Sequence, residues 1–563
     1  YVITPWTVDN DDNNKCPGVP VTVNIWVEPT VSITADSDTI CDNTATSILV
    51  ESTNTTTNGI RYTWTVSDNP DVEGEEASTG EGQDAGTAIV QTLDNTSEVA
   101  QRVQYVITPW TVDNDDNNKC PGVPITIDIW VEPTVSITAD SDTICDNTAT
   151  SILVESTNTT TNGIRYTWTV SDNPDVEGEE ASTGEGQDAG TAIVQTLDNT
   201  SEVAQRVQYV ITPWTVDNDG NNKCPGVPIT VDIWVEPTVS ITADSDTICD
   251  NTATSILVES TNTTTNGIRY TWTVSDNPDV EGEEASTGEG QDVGTAIVQT
   301  LDNTSEVAQR VQYVITPWTV DNDDNNKCPG VPVTVDIWVE PTVSITAIND
   351  TICNAETIDI PVNSTNITTN GIRYTWVIID NPDVTGEESS TGSGQDNGTS
   401  INQTLINTSD NAQSVAYIIT PWTIDNNGNN KCAGDPVTVY AWVEPTAKVT
   451  AAISSDTICN NQEITYSLVT PTTSLYGVTF NVEVINNYSE ISGYNPLRQN
   501  LGEILIDETL NNSGDTARMI MYVVTPATIN SDGVRNCTGI NDTIRLWVNP
   551  TPRATPVNLS PAI

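Results

Sequence analysis

Eleven cysteines carry the most orderly chemistry in this chain. They stand at positions 16, 41, 120, 145, 224, 249, 328, 353, 432, 459 and 537 of a 563-residue sequence that contains no histidine. With no His and no C-x-x-C pair, tetrahedral zinc has no ligand set. Regularly placed cysteines in an acidic, strand-forming chain point to disulfides made in an oxidising place outside the cytosol. The competing reading is buried free thiols acting as small hydrophobes.

Two other groups of side chains have chemical potential. The loop Asp113-Asn114-Asp115-Asp116-Asn117-Asn118 offers oxygen ligands that suit Ca²⁺, with Asp113, Asp115 and Asp116 as the acids. The next copy of the loop holds Asp217-Asn218-Asp219-Gly220, nearer to a D-x-D-G pattern, with Asp217 and Asp219 in the same roles. The loop lacks full EF-hand spacing and the distal Glu, so a solvated turn is the stronger reading. The acidic run from Asp68 to Glu76 reads as a solvated loop. Catalysis finds no footing. Without His there is no His-based triad, and neither a P-loop nor a nucleophile-elbow motif occurs. The chain reads as a non-enzyme.

Asp and Glu total 79 against 18 Lys and Arg, a formal charge of −61. Such a surface repels nucleic acid and anionic membranes, which excludes both as expected partners. No apolar run reaches the length of a membrane span. Thr, Asn, Val and Ile dominate, and Phe occurs once. That is a composition of strands and turns.

The elements that position these residues come from a repeat. The stretch Tyr-Val-Ile-Thr-Pro-Trp-Thr, an Asp/Asn loop, Lys-Cys and a Val/Ile run ending Trp-Val-Glu-Pro opens the chain. It returns at Tyr105, Tyr209, Tyr313 and Tyr417, and in a worn form at Tyr522. This recurrence sets the boundaries: 1–29 is the closing hairpin of a truncated repeat, and 30–133, 134–237, 238–341 and 342–445 are full copies. Residues 446–550 are a diverged copy, and 551–563 read as the start of another. A period of about 100 residues exceeds solenoid units of ~20–50 residues and fits one sandwich domain per copy.

In the copy 30–133, Val31–Ala35 and Ser47–Glu51 alternate as strands. Ile60, Tyr62, Trp64 and Val66 share one face of a third. A long strand over Arg102–Thr111 and a last one over Val123–Val131 form the closing hairpin, with Pro109 expected at a bulge or strand end. A buried Trp on the third strand is a mark of immunoglobulin-like sandwiches. The fold expected is all-β, a tandem array of such sandwiches joined by short Pro-stiffened linkers into an elongated rod. At ~3.3 Å per strand residue, five copies would reach on the order of 200 Å.

This frame narrows the cysteine pairing to two schemes. The simplest joins Cys41 to Cys120 within one domain. Yet the turn holding Cys41 lies at the C-terminal end of a sandwich, and the hairpin loop near Cys120 lies at the N-terminal end. Cα atoms of a disulfide must approach within ~7 Å. The second scheme joins successive domains: Cys41–Cys224, Cys145–Cys328, Cys249–Cys432 and Cys353–Cys537. It leaves Cys16, Cys120 and Cys459 for neighbours outside the sequence. Both schemes stay open, with the inter-domain one preferred. By the same topology Trp130 sits at the bottom of its domain and Trp214 at the top of the next. Trp110, Trp130, Trp214, Trp234, Trp318 and Trp338 are therefore expected at inter-domain contacts, with Trp130 meeting Trp214. The competing reading has each Trp covering its own sheet.

The pattern Gln91-Thr-Leu-Asp-Asn-Thr-Ser, then Val103-Gln-Tyr-Val-Ile-Thr-Pro, Cys120-Pro-Gly and Val-Glu-Pro resembles the PKD-like repeat. That immunoglobulin-like module occurs in very large surface adhesins of Bacteroidota, gliding adhesins among them. The resemblance runs along nearly the whole chain and implies export to the cell surface. It also gives meaning to Asp-Thr-aliphatic triplets, similar to an O-glycosylation motif of those bacteria, at Thr39, Thr143, Thr247, Thr351 and Thr457. The function it implies is the structural stalk or filament of an adhesin, extracellular and on the cell surface, needing no cofactor beyond Ca²⁺ if the Asp loops hold it. Its partners would be neighbouring repeats of the same chain, with other filament chains or surface glycans beyond them. Two alternatives accompany it: a multivalent glycan- or surface-binding array using exposed Trp, and a laterally associating filament subunit.

Overall fold

The structure, a computed structural model, describes residues 1–557. Every element among them is a β-strand. Of the stretch 551–563, residues 551–557 carry no strand and the rest lie outside the described residues.

In the copy 30–133, alternation of apolar and polar residues makes Ile60–Val66, Gln101–Val112 and Ile125–Val131 the centre of one sheet. Its order is Gln83–Asp84, Ile60–Val66, Gln101–Val112, Ile125–Val131, Asp38–Ile40, with Asn118–Pro121 pairing the far half of the long strand. The facing layer is built from short strands. Thr44–Ala45, Thr92–Asn95 and Val72–Glu73 form one ribbon, and Ile48–Leu49 pairs Ala88–Ile89 beside it. Between the layers lie Ile48, Val50, Tyr62, Trp64, Ile89, Leu93, Val103, Tyr105, Ile107 and Ile129. The buried polar tips are satisfied: the Trp64 indole N–H donates to the Glu76 carbonyl at 2.8 Å, and the Tyr105 hydroxyl donates to Gln91 at 2.6 Å.

The next three cores repeat this arrangement. The fifth keeps the main sheet but closes the other face with longer strands, Thr450–Ile453, Gln462–Val469 and Ile504–Asn512. There Glu508 replaces the Gln, taking Tyr522 Oη at 2.8 Å and Arg498 at 2.8 Å. Residues 1–29 form an exposed hairpin, Val2–Ile3 on Val21–Thr22 and Trp6–Val8 on Asn14–Pro17.

Two expectations need correction. Pro109 is neither at a strand end nor bulged out, because the long strand runs through it. Pro109 stands where the strand's outer partner changes from Ile125–Val131 to Asn118–Pro121, so its missing N–H breaks no ladder. Its carbonyl accepts the Gly122 N–H at 2.7 Å. The expected first strand, Val31–Ala35, is reduced to a single bridge, Thr34 to Glu51, although Val31 and Ile33 are buried as alternation requires.

One pairing places the cysteines. Asp38–Ile40 runs parallel to Ile125–Val131, with Ile40 opposite Val131. Cys41, the next residue, is thereby set at the level of the linker Glu132-Pro133. Cys120 pairs with Thr111 at the far end of the same sheet.

Candidate functional site: the junction between successive domains

The chemistry-bearing residues of the repeat converge on its junctions. Between the copies 30–133 and 134–237, Cys41 is bonded to Cys224, with Cα atoms 5.5 Å apart. Cys145–Cys328, Cys249–Cys432 and Cys353–Cys537 close the next three junctions in the same way. The intra-domain scheme is excluded by geometry, since Cys41 and Cys120 lie at opposite ends of one sandwich. Cys16, Cys120 and Cys459 are free and exposed.

Beside each of the first three bonds sits a lysine clamp. Lys223 donates from Nζ to the Thr39 carbonyl, and its ammonium is 3.7 Å from Asp38 Oδ1. Lys327 does the same with Thr143 and Asp142, and Lys431 with Thr247 and Asp246. In a chain with only 18 cations, placing one at each of these junctions against a carboxylate and a carbonyl is a definite use of charge. The fourth junction departs from this. Asn536 stands where the lysine would be, and the charge pair has moved across the joint, with Lys448 Nζ 2.6 Å from Asp410.

A second contact comes from the linker itself. Glu132 is fully buried, and its carboxylate accepts the Thr161 N–H at 3.2 Å and the Thr161 hydroxyl. Glu236 with Thr265 and Glu340 with Thr369 repeat the pair. Burial pushes each of these carboxyls above the ordinary Glu range, and the threonine bonds and the nearby lysine only partly offset it. Glu444 keeps one bond, from Leu475 N–H at 3.2 Å. A third contact is a one-residue parallel bridge from Val99 to Thr159. The Ala100 N–H donates to the Thr159 carbonyl at 2.7 Å, and the Thr159 N–H to the Glu98 carbonyl at 3.0 Å. The junction is thus held by a disulfide, a lysine clamp, a buried glutamate and a backbone bridge.

These contacts surround a cleft of about 800 Å³, lined among others by Thr39, Val99, Trp130, Thr161, Asn218 and Lys223. Equivalent clefts of about 780 and 940 Å³ open at the next two junctions, walled by Trp234 and Trp338. Each of the three Trp side chains is 38 % exposed.

The tryptophans divide differently from the expectation. Trp130 and Trp214 do not meet. Trp214 lies across its own sheet, its Nε1–H donating to Thr167 Oγ1 at 3.0 Å; Trp110 and Trp318 do likewise with Thr63 and Thr271. An inward–outward alternation shows that these rings point away from the core, but the outer face of the third strand offers each a hydroxyl partner at home. Of the six, Trp130, Trp234 and Trp338 line the clefts at the joints.

The Asp loops are turns capped by their own first acid. Asp113 Oδ1 accepts the N–H groups of Asp115 at 2.9 Å and Asn117 at 2.8 Å, and Asn117 Nδ2 at 3.2 Å. Those amides, the Asn117 N–H foremost, hold its carboxyl below the usual range. Asp217 caps its loop identically, through Asp219 and Asn221. The first acid of each loop is spent on its own turn, while Asp115, Asp116 and Asp219 point to solvent. Among the described residues no group of three or more acidic or thiol side chains is arranged to hold a metal ion. Arg61 fixes the loop from outside, donating to the Asp116 carbonyl at 2.6 Å and to Asp84 at 3.1 Å. Thr39, Thr143 and Thr247 are half-buried at the clefts, and Thr351 and Thr457 are exposed. Sequence reading missed Glu132 and Lys223. Their recurrence in Val-Glu-Pro and Lys-Cys was the available signal.

Comparison with known proteins agrees with this architecture. A family model described as a PKD-like domain matches residues 38–135, 142–239, 246–343, 350–447 and 456–552. No curated protein sequence matches the chain. Among solved structures it is similar to the human desmocollin-1 ectodomain, at 12% identity and a TM-score of 0.22, covering 95% of this chain and 100% of that one. The Escherichia coli adhesin FdeC is similar at 14% identity and 0.27, covering 56% and 97%. A three-domain titin segment gives 9% identity and 0.29, covering 55% and 96%. At TM-scores this low none of these likenesses bears on function.

Proposed function

The chain belongs to the PKD-like domain family, with five copies in tandem, and on that premise we propose that it is the structural stalk or filament region of a large secreted cell-surface adhesin. Its task is to hold an adhesive tip away from the cell, or to form the fibre itself, in adhesion or gliding. The observation that carries the reading is the junction: all four complete joints are covalently bonded between successive domains. Binding modules on flexible linkers have no use for such joints, whereas a spacer that must keep its length does. Disulfides at every joint also support an extracellular place for the chain. Small-angle scattering of the oxidised chain tests the reading. A maximal dimension on the order of 200 Å, from domains of roughly 35–45 Å laid end to end, supports it. A compact or strongly bent particle overturns it.

A second reading draws on the clefts. Half-exposed Trp130, Trp234 and Trp338, each beside Thr, Asn and Lys side chains, form a regularly spaced row of sites with the chemistry to stack and hydrogen-bond a sugar. Weak sites repeated along one rod would bind through avidity. Calorimetric titration with surface oligosaccharides, repeated on the triple Trp→Ala variant, decides it: no binding by the parent chain removes this reading and leaves the stalk.

A further inference from the structure

We propose that the chain is a two-ply covalent cable, whose function is to carry tension without lengthening and to stay in one piece when its backbone is cut. The proposal extends the stalk reading, but its test is separate, because it concerns extension under load rather than resting shape.

Each disulfide closes a loop with a sequence separation of 183 or 184, and successive loops overlap. They form two interleaved series. One runs through Cys41–Cys224, along the chain to Cys249, and through Cys249–Cys432 toward Cys459. The other runs from Cys120 to Cys145, through Cys145–Cys328, along the chain to Cys353, and through Cys353–Cys537. Load applied between the first and fifth domains travels the shortest covalent route. It therefore skips everything between Cys41 and Cys224, and between Cys249 and Cys432.

The segments that remain in the route have almost no slack. Cys224 to Cys249 comprises the strand Ile229–Val235, the linker Glu236-Pro237, the alternately buried run Val239–Ile241 and the strand Asp246–Ile248. It descends the whole of one domain and the whole of the next. Fully drawn out, such a segment measures about 90 Å at ~3.3–3.6 Å per residue. Two domain lengths already take up roughly 70–90 Å of that. Loss of either core would release almost nothing. Without the disulfides, each domain would release about 300 Å of hidden chain.

The two series also lie side by side in the sheets. Asp142–Ile144, on the Cys120–Cys145 segment, pairs in parallel with Ile233–Val235, on the Cys224–Cys249 segment. In the next domain Asp246–Ile248 pairs with Ile337–Val339, and in the fourth Asp350–Ile352 pairs with Ala441–Val443. The plies exchange sides at every step, each joint being crossed once by backbone and once by a disulfide. In each of these domains the two plies thus run the same way, side by side, as parallel hydrogen-bonded strands that share the load.

The test is single-molecule stretching of the full chain through handles inserted at Asp36 and Asn460. The oxidised chain should show no domain-sized steps before rupture, and the reduced, alkylated chain should show steps of about 300 Å. The Cys249→Ser variant breaks one ply, lengthens the shortest covalent route by about 130 residues and should release about 450 Å before rupture. A companion measurement places a protease site in the linker Glu236–Thr238. The cut oxidised chain should keep its full mass and fall into two pieces on reduction. Domain-sized steps in the oxidised chain overturn the proposal. So does an absence of steps in the reduced chain, which would show that the domains themselves, and not the bonds, resist extension.

Discussion

Lys223 donates to the backbone carbonyl of Thr39, 184 residues earlier in the chain. The contact crosses a joint that is also closed by the Cys41–Cys224 bond close by in both segments. A lysine that satisfies a carbonyl on the pairing strand of one domain, from the hairpin loop of the next, ties the joint's angle to the integrity of both sheets. Four consequences can be measured.

The pairing itself is open to a thiol count. Alkylation of the unfolded, unreduced chain should label Cys16, Cys120 and Cys459 and no other cysteine. Bonds within domains would leave only Cys16 reactive. Peptide mapping of the label separates the two outcomes.

Removing the clamp should loosen a joint without opening a core. Lys327→Ala forfeits a charged hydrogen bond and an exposed ion pair, a loss of about 1–2 kcal/mol at that joint. Hydrogen exchange should speed up at Asp142–Ile144 and in the loop near Asn326, and remain unchanged at Tyr270. The reverse change, Asn536→Lys, should slow exchange at Asp350–Ile352, whose carbonyls and acid then face a cation. High salt should narrow both differences.

The buried glutamates set a pH response. The carboxyls of Glu132, Glu236, Glu340 and Glu444 are pushed up by burial. A raised acid favours folding most when protonated. Its contribution is therefore complete below the ordinary Glu range and is lost as pH rises through the raised value. The capping aspartates Asp113, Asp217, Asp321 and Asp425 are held low and act oppositely, losing their contribution as pH falls through their depressed range. Replacing the four glutamates by Gln should remove the loss on the alkaline side and leave the acid limb in place. Thermal melts between pH 3 and 8 read both limbs; an unchanged alkaline limb would sink the assignment.

Gly226 lies just past the cysteine of the first joint and touches the start of its own domain. A Cβ there would stand 2.1 Å from the Val135 carbonyl oxygen, which is backbone and cannot move aside. Gly226→Ala should therefore destabilise the second domain by about 1–3 kcal/mol, the usual range for overpacking. Gly220, at φ +84° in the exposed loop with open space around it, offers a comparison. There Ala should cost only backbone strain, about 1 kcal/mol. Calorimetry of the two variants gives the ranking.

What the amino-acid sequence by itself determined is whatever is written in one dimension. The 104-residue recurrence set the copies, and the period of two placed Tyr62, Trp64, Val103, Tyr105 and Ile107 inward, where they are. The spacing of the cysteines reduced their pairing to two schemes. Choosing between them required the parallel pairing of Asp38–Ile40 with Ile125–Val131, a contact between residues at opposite ends of a domain, which brings Cys41 to the joint. Side-chain partners across space were likewise out of reach. Alternation turned Trp214 outward, but only the neighbouring strand could supply Thr167 and keep the indole from Trp130. Glu132 read as a linker residue, because its burial comes from a threonine in the next domain. The hairpin loop read more strongly as a solvated turn than as a cation site, and only the folded loop shows the turn's own amides bound to its first aspartate. Period and composition are local properties of a chain. A joint between domains is made by residues that stand far apart in the chain, and only the folded sheets bring them together.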